Sequence, residues 1–388
     1  MFRRERIQTD VAVDMTNGKI LFFVEDPGAA NYLDGIIAEA QKNNITTTVV
    51  AEGKAREQFL NRYNIAPLQK QDRSAASILE TYQPTIVVVG TAVNPDTMGL
   101  QLVSESRRRG LATLGAVDCP GNEEWRFRGR GGGPLENAPD KILVPDDPTR
   151  RAFIDLGASP SSVFACGSPH FDFVHQKRET FSITGRSTLR EEILSEVVKN
   201  RRVVVCAPDP IGGVNPQEHV RNPEYTLHGR GDSDQRPDIF IQEFLDAMEA
   251  CEGPRPYLVL RLHPRSRAQD FTVDLSSFDE ISQGGEALAL LYCADLVVGL
   301  TSILIVEATL LGTPTLSITP RAKEAAWLST IEMKLTPMAT TREEIRQLLP
   351  SAMKAPRLPI NEVKTAFPTD CASRALDIIT NDNQCNQI

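Results

Sequence analysis

The chain has 388 residues, 41% of them hydrophobic and 24% charged, with a formal net charge of −9. This is ordinary globular composition, long enough for two domains, and the acidic balance excludes a nucleic-acid binder that works through a dominant basic face. The seven cysteines (Cys119, Cys166, Cys206, Cys251, Cys293, Cys371, Cys385) stand singly, with no CxxC pair and an odd count, so a reduced, cytoplasmic protein with neither a disulfide framework nor a metal site is expected.

Residues 1–17 read as a flexible leader; MFRRERIQTDVAVDM has no apolar core and is not a secretory signal. Lys19–Glu25 (KILFFVE) is a continuous apolar run, the mark of a buried strand, and it opens into Asp26-Pro27-Gly28-Ala29-Ala30-Asn31. A helix to Lys42 follows, then a strand over Thr46–Ala51, helices over Gly53–Tyr63 and Ser74–Tyr82, and a strand over Thr85–Gly90. Asp96–Arg109 reads as a helix and Leu111–Val117 as a strand that delivers Asp118. Cys119–Pro139 holds WRFRGRGGG and little apolar surface, and is expected to be a mobile loop. Lys141–Pro145 is a strand, Thr149–Leu156 a helix and Ser162–Cys166 extended. Regular β-α alternation implies a parallel sheet covered on both faces, with its ligand-binding loops at the carboxyl edge. A first Rossmann-like domain is therefore placed at residues 18–172. The stretch from Gly167 to Arg186 is polar and broken by glycine and proline, and the interdomain linker is placed at 173–186.

The alternation resumes over residues 187–367. Helices are expected over Ser187–Lys199, Asp238–Ala250, Gly285–Cys293 and Thr341–Leu349, and strands over Arg202–Ala207 and Pro256–Leu262. A long polar insertion runs from Pro208 to Pro237, and a proline-rich passage from Pro356 to Pro368. A terminal helix is placed within 368–380 and a disordered tail at 381–388. No stretch is long and apolar enough to span a bilayer; the nearest, Ala287–Leu300, is interrupted by Asp295.

The second half centres on Ala294–Ile318, ADLVVGLTSILIVEATLLGTPTLSI, which reads as strand, turn, helix, turn, strand. Thr301 or Ser302 can cap the helix, Gly312 can end it, and Pro314 prevents its resuming. The helix N-terminus then lies beyond a strand's carboxyl end, where free amides and the helix dipole attract phosphate. Glu307 is the single charge on the helix. A solvated charge is the plainer reading, but a lone carboxylate on so apolar a helix is costly unless it faces a cleft, where it could accept two ribose hydroxyls. Thr301, Ser302, Glu307, Ala308, Gly312 and Pro314 together resemble the nucleotide-binding domain of GT-B glycosyltransferases and of the UDP-N-acetylglucosamine 2-epimerases. Gly167, Pro169, Phe171 and Asp172 resemble the segment that precedes the second domain of such proteins. The resemblance implies two Rossmann-like domains facing across a cleft, the first for the acceptor and the second for a nucleotide-sugar, with a terminal helix able to cross back to the first.

Leu260–Arg265 (LRLHPR) is the second strong signal. Alternate strand residues share a face, so Arg261 and His263 would emerge together and could neutralise a diphosphate leaving group without an obligatory metal. Arg-x-His-Pro is similar to a motif of CDP-glycerol polymerases. Pro210–Gly213 (PIGG) follows a strand, and Gly212 and Gly213 could let backbone amides approach a phosphate or simply form a turn. Of the first-domain carboxylates, Asp118 is the leading candidate for a general base and Asp26 the second, with His170 a weaker third. Arg126, Arg128 and Arg130 alternate with Trp125 and Phe127. That loop could grip an anionic acceptor, stack on a base or touch a membrane surface, or it could be a solvated loop.

These expectations rank a metal-independent glycosyltransferase with a UDP-sugar donor first, in the cytoplasm or at the inner face of the membrane, with no cofactor beyond the donor and a sugar or lipid-linked acceptor. A UDP-N-acetylhexosamine 2-epimerase, a CDP-alditol phosphotransferase and a non-catalytic sugar-nucleotide-binding protein are the alternatives. The chain departs from the epimerases in two places: EDPGAANY stands where they carry Gly-Thr-Arg-Pro-Glu, and Gly115-Ala116-Val117-Asp118 where they carry His-x-Glu-Ala-Gly.

Overall fold

The computed structural model describes residues 19–60, 62–63, 74–91, 95–194, 198, 201–212 and 216–381. The expected leader and all of the expected tail except Asn381 lie outside these residues. In the first domain the order is β1 (Lys19–Val24), α1 (Pro27–Lys42), β2 (Thr46–Ala51), α2 (Gly53–Phe59), α3 (Ala75–Tyr82), β3 (Ile86–Gly90), α4 (Met98–Arg108), β4 (Ala112–Ala116), α5 (Glu123–Arg126), β5 (Lys141–Val144), α6 (Asp147–Asp155) and β6 (Val163–Ala165). Next come α7 (Pro169–Thr184) and α8 (Arg186–Ile193). The second domain continues with β7 (Val203–Ala207), α9 (Arg236–Glu249), β8 (Tyr257–Arg261), β9 (Glu280–Ser282), α10 (Ala287–Cys293), β10 (Leu296–Gly299), α11 (Ile303–Leu310), β11 (Thr315–Ile318), α12 (Ser329–Glu332), β12 (Met338–Ala339), α13 (Arg342–Ala352), α14 (Ile360–Ala366) and α15 (Cys371–Thr380).

Strands such as IVVVG and VVVCA are buried along their whole length, because helices cover both faces of each sheet and neither face can carry polar side chains. The first sheet has the order β2-β1-β3-β4-β5-β6 and the second β12-β11-β10-β7-β8-β9. Every pairing within them is parallel. The strand order reverses direction beside β1 in the first sheet and between β7 and β10 in the second. Ligands enter such sheets at these reversals, outside the carboxyl ends of the strands.

Two segments differ from their sequence reading. The polar stretch expected as a linker is mostly helix: Pro169 occupies the first helical turn of α7, and Gly185, with φ of 86°, ends it. Its polarity hides a buried stripe of Phe171, Val174, His175 and Phe181, because α7 packs on elements of both domains. The loop expected to be mobile is folded onto the first domain. Phe127 is buried and its ring lies 5.9 Å from that of Phe153, while Asn137 N donates to Phe127 O at 3.0 Å.

α15 crosses back as expected. Its Ala375, Leu376 and Ile379 join the first-domain core with Leu33, Ile36 and Ile37 of α1, and Lys141 Nζ donates to Ile378 O and Asn381 O, each at 3.1 Å. Among the described residues no helix is long and apolar enough to cross a membrane.

Candidate active site between the domains

The second-domain wall is made by the carboxyl ends of β7, β8 and β10. Ser302 is the N-cap of α11, its Oγ accepting from Leu304 N at 3.3 Å. Thr301 is engaged elsewhere: its Oγ1 donates to Asp209 Oδ2 at 2.9 Å and accepts from Arg236 Nη2 at 3.1 Å. Glu307, one turn into α11, is buried and accepts at Oε1 from His170 Nε2 at 2.7 Å. Gly212, with φ of 77°, sits in the left-handed conformation that glycine adopts without strain; Gly213 lies outside the described residues.

Arg261 and His263 part company. β8 ends at Arg261, which is buried and donates from Nη1 to Ser282 Oγ at 2.9 Å. Leu262 turns into the core and His263 lies in the loop beyond. Burial, and then the charge of Arg265, push the His263 imidazole down to about 4, against the pull of Asp209 and Asp26. The ring is therefore neutral near pH 7. Its Nδ1 accepts from Arg265 N at 3.1 Å, so the single ring proton is on Nε2, which is a donor. Both carboxylates that act on it flank the cleft: Asp26 on the first domain and Asp209 on the second.

The first-domain wall begins with Asp26, which caps α1 through Oδ1 accepting from Gly28 N at 2.9 Å. A β-carbon on Gly28 would fall 2.0 Å from Asp118 Oδ2 and 3.4 Å from Asp26 Oδ1. Both carboxylates therefore gather at the positive end of α1, in space that only glycine leaves open. Burial raises the Asp118 carboxyl above its ordinary value, Arg126 opposes the rise and Asp26 adds to it. Arg126 is itself buried and donates from Nη1 to Asp118 Oδ1 at 3.3 Å and from Nη2 to Cys119 O at 3.2 Å. The arginine offered by the sequence as a grip on an external anion is thus turned inward to a catalytic candidate. Arg130 pairs with Asp96, and Arg128 lies 4.7 Å from the centre of the Trp125 ring. Lys54 Nζ spans the cleft and donates to Pro264 O at 2.9 Å.

A network absent from the sequence reading underlies the second wall. Arg236 is fully buried and donates to Asp209 Oδ2 at 2.6 Å and to Glu324 Oε2 at 2.9 Å. Arg321 Nε donates to the other oxygen of Glu324 at 2.6 Å. Burial works against the charge on Arg236, but Glu324 and Asp209 outweigh it and raise its affinity for the proton. The Trp327 ring lies 5.4 Å from each of the two guanidinium groups, with His219 stacked at 6.3 Å. A β-carbon on Gly121, in the first domain, would meet Trp327 Cδ1 at 3.2 Å. Asp209 carried the same signal as Asp118, a carboxylate just past an apolar strand. Arg236 and Glu324 carried none, since their partnership joins distant parts of the chain.

No family model and no curated protein matches the chain in sequence. Solved structures do resemble it. The UDP-GlcNAc 2-epimerase of Methanocaldococcus jannaschii, in complex with UDP-GlcNAc and UDP, matches with a TM-score of 0.64 at 15% identity, over 93% of this chain and 99% of that one. The UDP-GlcNAc 2-epimerase of Neisseria meningitidis, bound to UDP-GlcNAc, matches at 0.58 and 16% identity over 93% and 99%. The MnaA–UDP structure of S. aureus matches at 0.61 and 12% identity over 93% and 96%. The chain has the two-domain GT-B fold, in the form shared with the UDP-GlcNAc 2-epimerases.

Proposed function

We propose that this protein is a nucleotide-sugar enzyme of the 2-epimerase type, acting on a UDP-N-acetylhexosamine. The observation that carries this reading is the pair Asp26 and Asp118 at the N-terminus of α1, facing the α11 wall in a fold that an epimerase matches over 93% of the chain. The same comparisons favour this reading over the glycosyltransferase ranked first from sequence, although both would hold the donor alike. The two departures from the epimerase motifs count against it, although each of those strand ends still delivers a carboxylate, Asp26 after β1 and Asp118 after β4.

The first turn of α11, His263 Nε2–H and Lys54 supply donors for the diphosphate. Glu307 receives the ribose. The C2–H bond of the sugar has no adjacent carbonyl while C1 is bonded to the diphosphate, so it breaks as the C1–O bond breaks. Asp118 takes the C2 proton and UDP leaves with the C1–O electrons, giving an unsaturated sugar. A proton returned to C2 on the opposite face, with UDP or water adding at C1, gives the epimer. Asp118 suits the first transfer because its carboxyl is raised toward the working pH. Asp26 is the second carboxylate beside it.

The test is to incubate the protein with UDP-GlcNAc in D2O and follow the sugar by proton NMR. Deuterium at C2 together with the second epimer, free or UDP-bound, is the expected result. Turnover only after an acceptor is added, with C2 unlabelled, would return the protein to the transferases. Consumption of a CDP-alditol instead would make it a phosphotransferase, and binding without turnover a non-catalytic protein.

A further inference from the structure

We propose that His170 positions Glu307 for the ribose and thereby makes the site select ribonucleotides over deoxyribonucleotides. This rests on the nucleotide-sugar reading of the cleft. Nothing in that reading assigns His170 a part, and sequence alone offered it only as a weak third choice for a base.

The geometry gives it another role. Pro169, at the start of α7, is wedged against α1: a β-carbon on Gly35 would fall 2.8 Å from Pro169 Cβ. The first turn of α7 is thus fixed against the first domain, and His170 is its next residue. The imidazole reaches into the second domain, where Nε2 meets Glu307 Oε1 at 2.7 Å, with the two side chains only 13% and 7% exposed. A carboxylate can only accept, so Nε2 carries the proton. The Phe173 ring lies 6.0 Å from that of His170, and the Glu307 carboxylate acts electrostatically on Arg261 at the end of β8.

The imidazole occupies one acceptor site on Oε1, so the carboxylate keeps sites on both oxygens for ribose hydroxyls. A free glutamate must freeze its side-chain rotations to make that bond, whereas one already held by an imidazole has little freedom left to lose. The held carboxylate therefore rewards a hydroxyl, and a missing hydroxyl leaves a buried acceptor unpaired. His170 does not touch the reacting carbons; it acts through Glu307.

The experiment is calorimetric titration of UDP, 2′-deoxy-UDP and 3′-deoxy-UDP into wild type, His170→Gln, His170→Phe and Glu307→Gln, with a thermal unfolding curve for each. Wild type should prefer UDP to at least one deoxy analogue by about tenfold or more. His170→Gln, whose amide nitrogen can take the place of Nε2, should keep most of that preference. His170→Phe and Glu307→Gln should each bind UDP and the discriminated analogue within about twofold of one another. If His170→Phe does not fold, His170→Ala is read in the same way. A mutant lacking the imidazole that discriminates like wild type would overturn the positioning role. Wild type that binds UDP with no discrimination would overturn it while sparing the nucleotide reading. Wild type that binds no UDP would overturn both.

Discussion

One glycine decides how close two carboxylates come to the start of α1. Gly28→Ala would put a methyl group where Asp118 Oδ2 now lies, so the carboxylate must leave. We expect turnover to fall by more than tenfold, roughly the loss of a positioned base, while the helix itself tolerates alanine. Asp118→Asn keeps an oxygen for Arg126 but no longer takes a proton; kcat should fall by about 10²–10⁴. An Asp118→Asn enzyme with wild-type kcat would remove that residue from the mechanism. His263 offers a test in pH. Its ordinary value is 6.5 and the folded protein holds it at about 4. Between those values the unfolded chain binds a proton that the folded chain refuses, so stability falls as pH drops through that window. Urea titrations across it should show a flatter decline for His263→Asn than for wild type. At this scale the sequence was most legible where a charged residue followed an apolar strand, as with Asp26 and Asp118. Arg126 was visible but misplaced, because nothing local tells an arginine in a polar loop that an acid and two carbonyl groups await it inside.

Among elements, the helices that share a buried polar network or cross domains are the sensitive ones. Arg236 enters from the first turn of α9 and is the counter-charge for both Asp209 and Glu324. Arg236→Met should lose about 3–5 kcal/mol in denaturant unfolding, since it leaves Asp209 without its counter-charge and Glu324 with Arg321 alone; a neutral result would mean that the network carries no stability. In α15, Leu376 is 5% exposed and belongs to the first-domain core. Leu376→Ala should cost about 2–5 kcal/mol, and hydrogen exchange should report the loss in α1 rather than in the second sheet. Most strands and amphipathic helices could be read ahead of the structure, because a parallel sheet demands unbroken apolar runs. α7 could not, since a helix packed on two domains by a narrow stripe reads as a polar linker. α14 was hidden by the prolines around it, and the short β9 and β12 lie at sheet edges where little apolar sequence is required.

For the whole molecule, contacts between the domains come from separate places: Lys54 to Pro264, His170 to Glu307 and Gly121 to Trp327. The architecture was legible from the motif around Glu307, but the choice between transferase and epimerase was not, because the nucleotide wall they share says little about the reaction opposite it. The return of α15 makes the second domain an insertion within the first. A fragment of residues 19–186 should accordingly be largely unfolded by circular dichroism, and should gain structure when a peptide of residues 368–381 is supplied. The same connectivity inverts the usual order of events during synthesis. Domains ordinarily fold as they leave the ribosome, the N-terminal one first. Here the first sheet emerges early but lacks the helix that covers α1, so it must wait, exposed and in reach of chaperones, until the second domain has been made and α15 is released.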